Sequence, residues 1–513
     1  MPTTTPAHEP ARTDEPRDAV SLRRVAGRGA LASASVEIVG RALTLLLSLA
    51  VARVLGPKET GLLGLAVIAS GLLSLIGALP ETAAVAEPRG KEDSSWALAA
   101  LAIRLLLLVL SGVVLVGWYA LGYQRSLYAE TTSAPRLLAI TAVLLLIPLC
   151  ECLNTYPMVM LQRRLRLTAL VRMQGVQYLL SSSAGLAAVF LGFGILGVAL
   201  AAVIGAACAS IVLWLQSFRL LRPVRLCDRA QLLRLTLDTG RVAMGSVGGY
   251  VAMRIDNVLV AASLGATGMG FYAMAWNTSR LPLLVISRPA SVALLPALAS
   301  IRDDAARITR GIQESLMLTF TAVGACSAVL AVSAPGLVQL VLGPKWLPIV
   351  PCLRLMALTA LISAFVPIAS ALLTSAGRAH VQLWPALLGI ACFLLLMRPV
   401  ATRYGLLGAA FVDLFAVTLA IITTYVLARR SLPEVQWWSR RQAVPFLAAA
   451  AGASLAWLAG HAVGSLVWRL VVEVCVCSGT YVGFLRLFGG REVVVSVLDL
   501  ARRILAPALG GRA

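Results

Sequence analysis

The chain has 513 residues, of which 59% are hydrophobic and 13% are charged. A soluble globular protein usually carries about 25% charged residues, so this composition excludes one and predicts an integral membrane protein. The formal net charge of +21 would suggest nucleic-acid binding if Lys and Arg formed a block. Most of them instead lie in short segments between apolar runs, as expected for charges that set membrane topology. We therefore predict that this chain lies in a lipid bilayer and does not bind nucleic acid.

The N-terminal residues 1–24 are polar, charged and rich in Pro and Thr, which predicts a flexible cytoplasmic tail. They lack the short apolar segment and small-residue cleavage site of a signal peptide, so the first helix is expected to direct insertion. The nine cysteines are scattered and show no metal-binding spacing. No metal and no cofactor are predicted.

Apolar runs of about 20 residues, the length that crosses a bilayer as a helix, occur fourteen times and predict an all-α polytopic membrane protein. The predicted spans are 31–53, 61–84, 95–119, 136–160, 167–190, 195–217, 241–263, 270–299, 308–333, 348–375, 381–399, 405–428, 442–461 and 465–487.

The distribution of basic residues predicts the orientation of these spans. With both termini in the cytoplasm, 29 of the 44 Lys and Arg residues lie in inside segments and 7 in outside segments, a bias typical of the positive-inside rule. The longest basic segment falls between spans six and seven. The predicted division of the chain is therefore a tail (1–24), an N-terminal lobe of six helices (25–218), a basic cytoplasmic linker (219–240), a C-terminal lobe of six helices (241–430), an extra helix pair (431–488) and a basic cytoplasmic tail (489–513). The last tail is either an amphipathic helix bound to the membrane surface or an ordinary solvated tail.

The two predicted lobes begin with the same pattern. Leu55-Gly56 with Gly61, and Leu264-Gly265 with Gly270, lie 209 positions apart, each at the outer end of a first helical hairpin. Such repetition indicates a duplicated multi-helix unit. Parallel duplicated halves are typical of transporters that bind their substrate between the halves.

Several short motifs also resemble a known family. They are Val54-Leu55-Gly56-Pro57-Lys58-Glu59-Thr60-Gly61, Arg254-Ile255-Asp256-Asn257 followed by Leu264-Gly265 and Gly270-Phe271-Tyr272-Ala273, the steps Leu281-Pro282 and Leu295-Pro296-Ala297-Leu298, and Gly343-Pro344-Lys345-Trp346. In this order they resemble the polysaccharide transporter family, the Wzx-type flippases of O-antigen or other oligosaccharides, within the multidrug/oligosaccharidyl-lipid/polysaccharide exporter superfamily. In the last motif, Trp346 is expected to anchor at the level of the lipid headgroups.

The resemblance implies a flippase of the bacterial inner membrane and not an enzyme. Its substrate would be an undecaprenyl-pyrophosphate-linked oligosaccharide, moved by alternating access between two six-helix lobes for the synthesis of O-antigen, capsule or exopolysaccharide. An H⁺ or Na⁺ ion would be the coupling ion of such an antiporter, and glycosyltransferases and a polysaccharide polymerase its functional partners. The alternatives are a lipid II flippase for peptidoglycan and, from another class, a membrane glycan polymerase, which would need a larger outer loop with catalytic side chains.

Charges inside the spans are candidate functional residues, because a charge near the bilayer centre costs at least about 2.5–3.5 kcal/mol. Guanidinium groups grip phosphate oxygens in pairs, and the arginines proposed to bind the diphosphate are Arg280, Arg254, Arg288, Arg104 and Arg41. Arg280 and Arg288 share a predicted helix with three prolines, which suggests a bendable gate. For each of these residues, the alternative to a substrate contact is an ordinary hydrogen bond between two helices.

Three acidic residues are candidates for ion coupling, since burial disfavours the charged form of a carboxylate. Asp256 is the first, and Glu151 and Asp413 are the others. A fixed ion pair between helices is the alternative for Asp256. Two pairs with a spacing of four residues, Glu37 with Arg41 and Arg469 with Glu473, have the geometry of structural pairs on one helix.

Overall fold

A computed structural model describes residues 36, 39–86, 93–120, 134–164, 166–218, 228–300 and 304–489, and all regular secondary structure in these ranges is helical. The predicted tails lie outside them. The helices are α1 (39–55), α2 (Pro57–Ala86), α3 (Asp93–Ala120), α4 (Ala134–Leu144), α5 (Leu146–Arg163), α6 (Leu167–Phe190), α7 (Gly194–Ser217), α8 (Arg229–Ser300), α9 (Ala305–Val341), α10 (Val350–Ser363), α11 (Phe365–Ser375), α12 (Leu383–Ser431), α13 (Val444–His461) and α14 (Leu466–Phe484).

Two of these helices are too long for one passage through a membrane. With a rise of 1.5 Å per residue, the 72 residues of α8 extend over roughly 110 Å, whereas a hydrocarbon core is about 30 Å thick. Gly265 breaks α8 with a φ of 70° and Gly405 breaks α12 with a φ of 63°. An L-residue with a side chain rarely adopts these angles, so glycine permits both turns.

The described helices follow the order of the predicted spans. Split at their glycines, α8 and α12 give two segments each, whereas α4 with α5, and α10 with α11, form single broken rods. The described ranges then contain fourteen helical segments, and nine stretches in these ranges are long and apolar enough to cross a membrane. The number of crossings stays a prediction.

One boundary differs from the sequence expectation. The linker was predicted to extend to residue 240, but α8 begins at Arg229. In its first turns, Leu235 belongs to a buried apolar cluster of the N-terminal lobe that contains Trp96 and Tyr156, and Leu232 packs against this cluster. Apolar residues among the arginines of this segment form a helical face, which the count of charges alone did not reveal.

A second repeat joins the one found in the sequence. Phe193-Gly194-Ile195-Leu196-Gly197 and Tyr404-Gly405-Leu406-Leu407-Gly408 lie 211 positions apart, and Gly194 and Gly405 have nearly equal positive φ angles of 64° and 63°. The pair of helices that each turn joins therefore occupies the same place in both halves. This supports duplication of the whole six-helix unit.

The duplicated hairpins meet at one end of the molecule. A Cβ atom on Gly61 of α2 would overlap the carbonyl oxygen of Ala266, and one on Gly270 of α8 would overlap that of Pro57. The two backbones can approach this closely only because both positions are glycine. We call this the outer end, after the side predicted from the basic residues.

Three hydrogen bonds reinforce the same contact. The Trp346 indole donates to the carbonyl oxygen of Ala52 at 2.9 Å, and the Arg53 guanidinium donates to the carbonyl oxygens of Leu340 and Val341 at the end of α9. We name these contacts, with Gly61 and Gly270, the outer closure. The expectation that Trp346 anchors among headgroups is wrong, because its side chain is fully buried. Its indole N–H needs a partner wherever it lies, and here a backbone carbonyl supplies one.

The extra helix pair packs on α9. The Tyr481 hydroxyl of α14 donates to the carbonyl oxygen of Thr321 at 2.8 Å, and the ion pair between Arg469 and Glu473 forms at 2.9 Å, as the spacing predicts. These helices thus attach to the side of the C-terminal half, away from α2.

Candidate functional site

Each half of the protein holds a group of charged side chains that are buried or partly buried. The N-terminal cluster comprises Glu81, Arg104, Glu151 and Gln162 on α2, α3 and α5. The C-terminal cluster comprises Arg254, Asp256, Arg280 and Asp413, with Tyr272 and Trp276, on α8 and α12. Six of the eight sequence candidates belong to these clusters, namely Arg104, Glu151, Arg254, Asp256, Arg280 and Asp413.

Arg104 is the centre of the N-terminal cluster. Its guanidinium lies 3.4 Å from the Glu81 carboxylate and 3.1 Å from the Glu151 carboxylate, and it donates to the Thr155 hydroxyl at 3.2 Å. Arg104 is 4% exposed. A planar guanidinium with five donors suits this arrangement, because it can serve several acceptors in one plane.

A cavity of about 360 Å³ adjoins the N-terminal cluster. Glu81, Arg104 and Glu151 contribute to its wall, together with Asn154 and Gln177. The Glu151 side chain is the more accessible of the two carboxylates, with 35% exposure against 12% for Glu81. The cluster therefore borders a space large enough for several water molecules.

Asp256 lies in a shell of polar donors. Its carboxylate accepts from the Asn257 amide at 2.8 Å and from the Tyr272 hydroxyl at 3.1 Å. All three residues are buried. Hydrogen bonds of this kind satisfy a buried carboxylate without an ion pair in direct contact.

Arg280 joins the two chain segments of the C-terminal cluster. It forms an ion pair with Asp413 of α12 at 3.6 Å, and its guanidinium lies 4.8 Å from the centre of the Trp276 ring. Arg254 approaches the same ring to 6.0 Å. Since an indole face attracts cations, Trp276 holds two guanidinium groups in one region.

The two clusters differ in charge. With every group ionised, the N-terminal cluster has two carboxylates and one guanidinium, whereas the C-terminal cluster has two of each. One oxygen of Asp413 has no hydrogen-bond partner among the described residues. The N-terminal cluster can thus accept a positive charge, and the C-terminal cluster holds cationic groups beside an aromatic ring.

Two candidates cannot be assigned to either cluster from the described contacts. Arg41 is an exposed residue of α1, and Glu37, its predicted partner, lies outside the described residues. Arg288 belongs to α8, but its side chain is outside the described part of the structure. Their assignments stay predictions.

Sequence reasoning missed four residues of the clusters, namely Glu81, Gln162, Tyr272 and Trp276. Glu81 lies near the inner end of the second predicted span, and α2 continues past it to Ala86. The position of Glu81 directly after Pro80 is a signal that could have found it. For Tyr272 and Trp276 the signal is helical spacing, since Trp276 is four residues from both Tyr272 and Arg280.

No group of three or more His, Cys, Asp or Glu residues that could hold a metal ion occurs within the described ranges. Carboxylates in both clusters are already engaged by guanidinium, amide or hydroxyl donors.

The fold defines the chain as a multi-pass membrane protein with the architecture of flippases and multidrug transporters. It is similar to the lipid II flippase MurJ in an inward closed conformation, with a TM-score of 0.74 and 11% identity over 90% of this chain and 99% of that one. It is also similar to an inward-facing multidrug resistance MATE family transporter of the MOP superfamily, with a TM-score of 0.62 and 16% identity over 76% of this chain and 94% of that one.

A third similar structure is a MOP superfamily transporter from Pyrococcus furiosus, with a TM-score of 0.54 and 16% identity over 79% of this chain and 95% of that one. At these identities the likeness shows the fold. Residues 50–351 match the model of a polysaccharide biosynthesis protein family, which is more than half of the sequence, and the chain belongs to this family. This confirms the family resemblance of the motifs. No curated protein matches the sequence.

Proposed function

We propose that this protein is a flippase that moves an undecaprenyl-pyrophosphate-linked oligosaccharide across the bacterial inner membrane by alternating access. It would serve the synthesis of surface polysaccharide, acting after the glycosyltransferases on the inner side and before a polymerase on the outer side. Both termini of the chain would lie in the cytoplasm. Membership of the polysaccharide biosynthesis family carries the proposal. The fold, which it shares with a lipid flippase along 90% of its length, agrees with this activity.

The outer closure supports the alternating-access part of the proposal. The two halves meet there through two glycine contacts, hydrogen bonds to backbone carbonyls and apolar packing, in which Leu65 of α2 lies in one buried cluster with Met269 of α8. The hydrogen bonds contribute about 1 kcal/mol each, and separation of the halves would expose this apolar surface as well. Separation would open a path from the inter-lobe space to the outer side.

We place the diphosphate of the substrate near Trp276. Arg254 and Arg280 both lie beside this ring, and within the described residues Arg254 makes no ion pair. A guanidinium with open donors can bind phosphate oxygens in bidentate fashion. Arg104 is already engaged by two carboxylates, so it ranks below Arg254 and Arg280, and Arg288 and Arg41 remain further candidates.

Asp256, Asp413 and Glu151 are the proposed coupling carboxylates. All three lie in the two clusters beside an arginine or a polar donor shell. Binding of H⁺ or Na⁺ changes the net charge of a buried cluster, and this changes the energy of helix arrangements that bring its charges together.

A lipid II flippase is the second candidate, favoured by the extent of the likeness to MurJ. Lipid II and the proposed substrate share a polyprenyl diphosphate with attached sugars. The proposed diphosphate site therefore suits both, and the two functions differ only in the glycan that the inter-lobe space accepts.

Depletion of the protein in its native cell separates the two functions. We expect the lipid-linked oligosaccharide to disappear from the outer leaflet while the exposure of lipid II stays normal, with re-expression of the wild-type chain as the control. Loss of lipid II exposure would instead support the second candidate. Unchanged exposure of both lipids would refute flipping by this protein.

A further inference from the structure

We propose that Glu81 and Glu151, joined by Arg104, form a proton-binding site in the N-terminal half. This inference rests on the proposed function and deepens it, because it assigns proton coupling to a specific pair of side chains. Glu81 and Arg104 take roles there that the sequence did not suggest, as carboxylate partner and fixed counter-charge.

The charges of the cluster provide the first reason. Two carboxylates share one guanidinium, at 3.4 and 3.1 Å, so the fully ionised cluster carries a net negative charge. Burial of an uncompensated charge is costly, and a carboxyl group avoids the cost by binding a proton. Two such carboxylates titrate as a unit. A bound proton is therefore shared by Glu81 and Glu151 and is not assigned to either one.

Among the residues that the structure describes, the neighbouring groups leave this charge uncompensated. Besides each other, the described groups that act on Glu81 and Glu151 are Arg104, Gln162 and Ser74. Cys150, Cys152 and Tyr156 of α5 are titratable but are neutral when protonated, and Arg163 bonds to the carbonyl oxygen of Ala84. The cavity wall contributed by α6 and α7 consists of uncharged side chains, such as Met173 and Gln177.

An unpartnered acceptor provides a second, independent reason. Asn154 is 7% exposed and lines the same cavity. Its amide donates to Ser210 at 2.8 Å, but its carbonyl oxygen has no partner among the described residues. Glu151 and Asn154 are three residues apart on one face of α5. A protonated carboxyl group is a hydrogen-bond donor, and this oxygen is an acceptor that ionised carboxylates cannot satisfy.

The arrangement suits a proton better than a metal ion. Glu81 uses one oxygen for Arg104 and the other for Gln162, which donates at 3.0 Å. Na⁺ needs several free oxygen ligands, and the adjacent guanidinium repels it, whereas a proton needs one lone pair. The 360 Å³ cavity supplies the route, since water within it delivers the proton to a carboxylate oxygen and accepts it again.

Helix α2 connects this site with the outer closure. Glu81 lies 20 residues from Gly61 on the same helix, a distance of roughly 30 Å, and Pro80 interrupts the helical hydrogen bonds directly before it. Proline permits a bend at this point. Protonation that weakens the contact of Glu81 with Arg104 can therefore change the angle of the segment that carries Gly61.

Infrared difference spectroscopy of the purified full-length protein tests the site without any lipid substrate. We expect a carbonyl band of a protonated carboxylic acid that titrates with pH and is lost in Glu81→Gln and in Glu151→Gln. Glu473→Gln is the matched control, because Glu473 is 2% exposed but has its own arginine at 2.9 Å. The control should keep the band, as should Glu151→Asp, which retains a carboxylate and also serves if a Gln variant fails to fold.

If neither Gln substitution removed any part of the titrating band, the proposal would be overturned, and the same holds if the band that they remove depended on Na⁺ at constant pH. In proteoliposomes, Glu81→Gln should abolish the stimulation of flipping by a pH gradient, while Glu473→Gln retains it. Absence of flipping by the wild-type protein would count against the proposed function. The infrared titration would still decide the proton site.

Discussion

Arg254 and Arg280 flank the same indole ring but differ in their partners. Arg280 neutralises Asp413, which is 2% exposed, at 3.6 Å, whereas Arg254 makes no ion pair within the described residues. Their substitution should therefore affect different properties. Loss of Arg280 leaves the buried Asp413 carboxylate without its counter-charge, whereas loss of Arg254 removes only a cation.

We expect Arg280→Ala to destabilise the protein by about 3 kcal/mol, because breaking a buried pair leaves an uncompensated carboxylate. Arg280→Ala/Asp413→Asn should regain most of this stability, and Arg254→Ala should stay close to wild type. Thermal unfolding in detergent provides the measurement. Equal stability of Arg280→Ala and wild type would show that this pair contributes nothing to the fold.

The stable variants then separate folding from substrate binding. Arg254→Ala should insert normally and lose export, since it removes a guanidinium from the proposed diphosphate site and leaves the coupling carboxylates in place. Arg254→Lys is the matched control and should retain part of the activity, because it keeps the charge without the bidentate geometry. Full export by Arg254→Ala would remove this residue from the site.

At the scale of helices, Gly61 and Gly270 allow α2 and α8 to pack in close backbone contact. Gly61→Ala places a methyl group against the carbonyl oxygen of Ala266, a backbone atom that no side-chain rotation can move away. Overpacking of this kind costs about 2 kcal/mol, which corresponds to a roughly 30-fold shift against the outer closure. The helices should therefore separate at this end.

Gly64→Ala is the matched control, because it lies one turn further on and its methyl group would meet only the flexible end of Met269 at 3.5 Å. Labelling of a cysteine at Ala52 by a membrane-impermeant reagent, in a chain without its native cysteines, reports the opening. We expect faster labelling with Gly61→Ala than with Gly64→Ala. Equal labelling rates would argue against this contact as the outer closure.

At the scale of the whole molecule, the orientation rests on the arginines. A phosphatase that works only outside should be inactive when fused after Arg430 or at the C terminus and active when fused within residues 122–133, while a fluorescent reporter should show the opposite pattern. Matched expression of the fusions is the control. Reversed activities would invert the outer and inner ends, and with them the direction of the proposed transport.

The helical architecture could be predicted from the sequence because bilayer insertion depends on local composition. A run of about 20 apolar residues inserts into the bilayer largely independently of the other segments of the chain. The order of the helices and the repeat of Gly56 and Gly265 could therefore be recognised in the sequence. The second repeat, at Gly194 and Gly405, was weaker in sequence and became clear only when the two glycines showed the same backbone angles. Family membership likewise followed from motifs confined to short stretches.

The candidate site was predictable as a set of residues but not as a set of contacts. Burial costs identify Arg104, Glu151, Arg280 and Asp413 as unusual at their depth in the membrane, and the partners of these charges come from helices far away in the chain. Glu81 and Arg104 are 23 residues apart, and Arg280 and Asp413 are 133 apart. No periodicity links such positions.

The sequence by itself therefore determined the class of protein, the order of its helices, the duplication and most of the intramembrane charges. Each of these depends on interactions of a residue with the membrane or with its near neighbours along one helix. Only the tertiary structure decided which charges share a cluster, that Trp346 is buried in the outer closure, and that Glu81 joins Glu151 around one arginine. These depend on how separate helices pack, and that packing is set by contacts between residues distant in sequence.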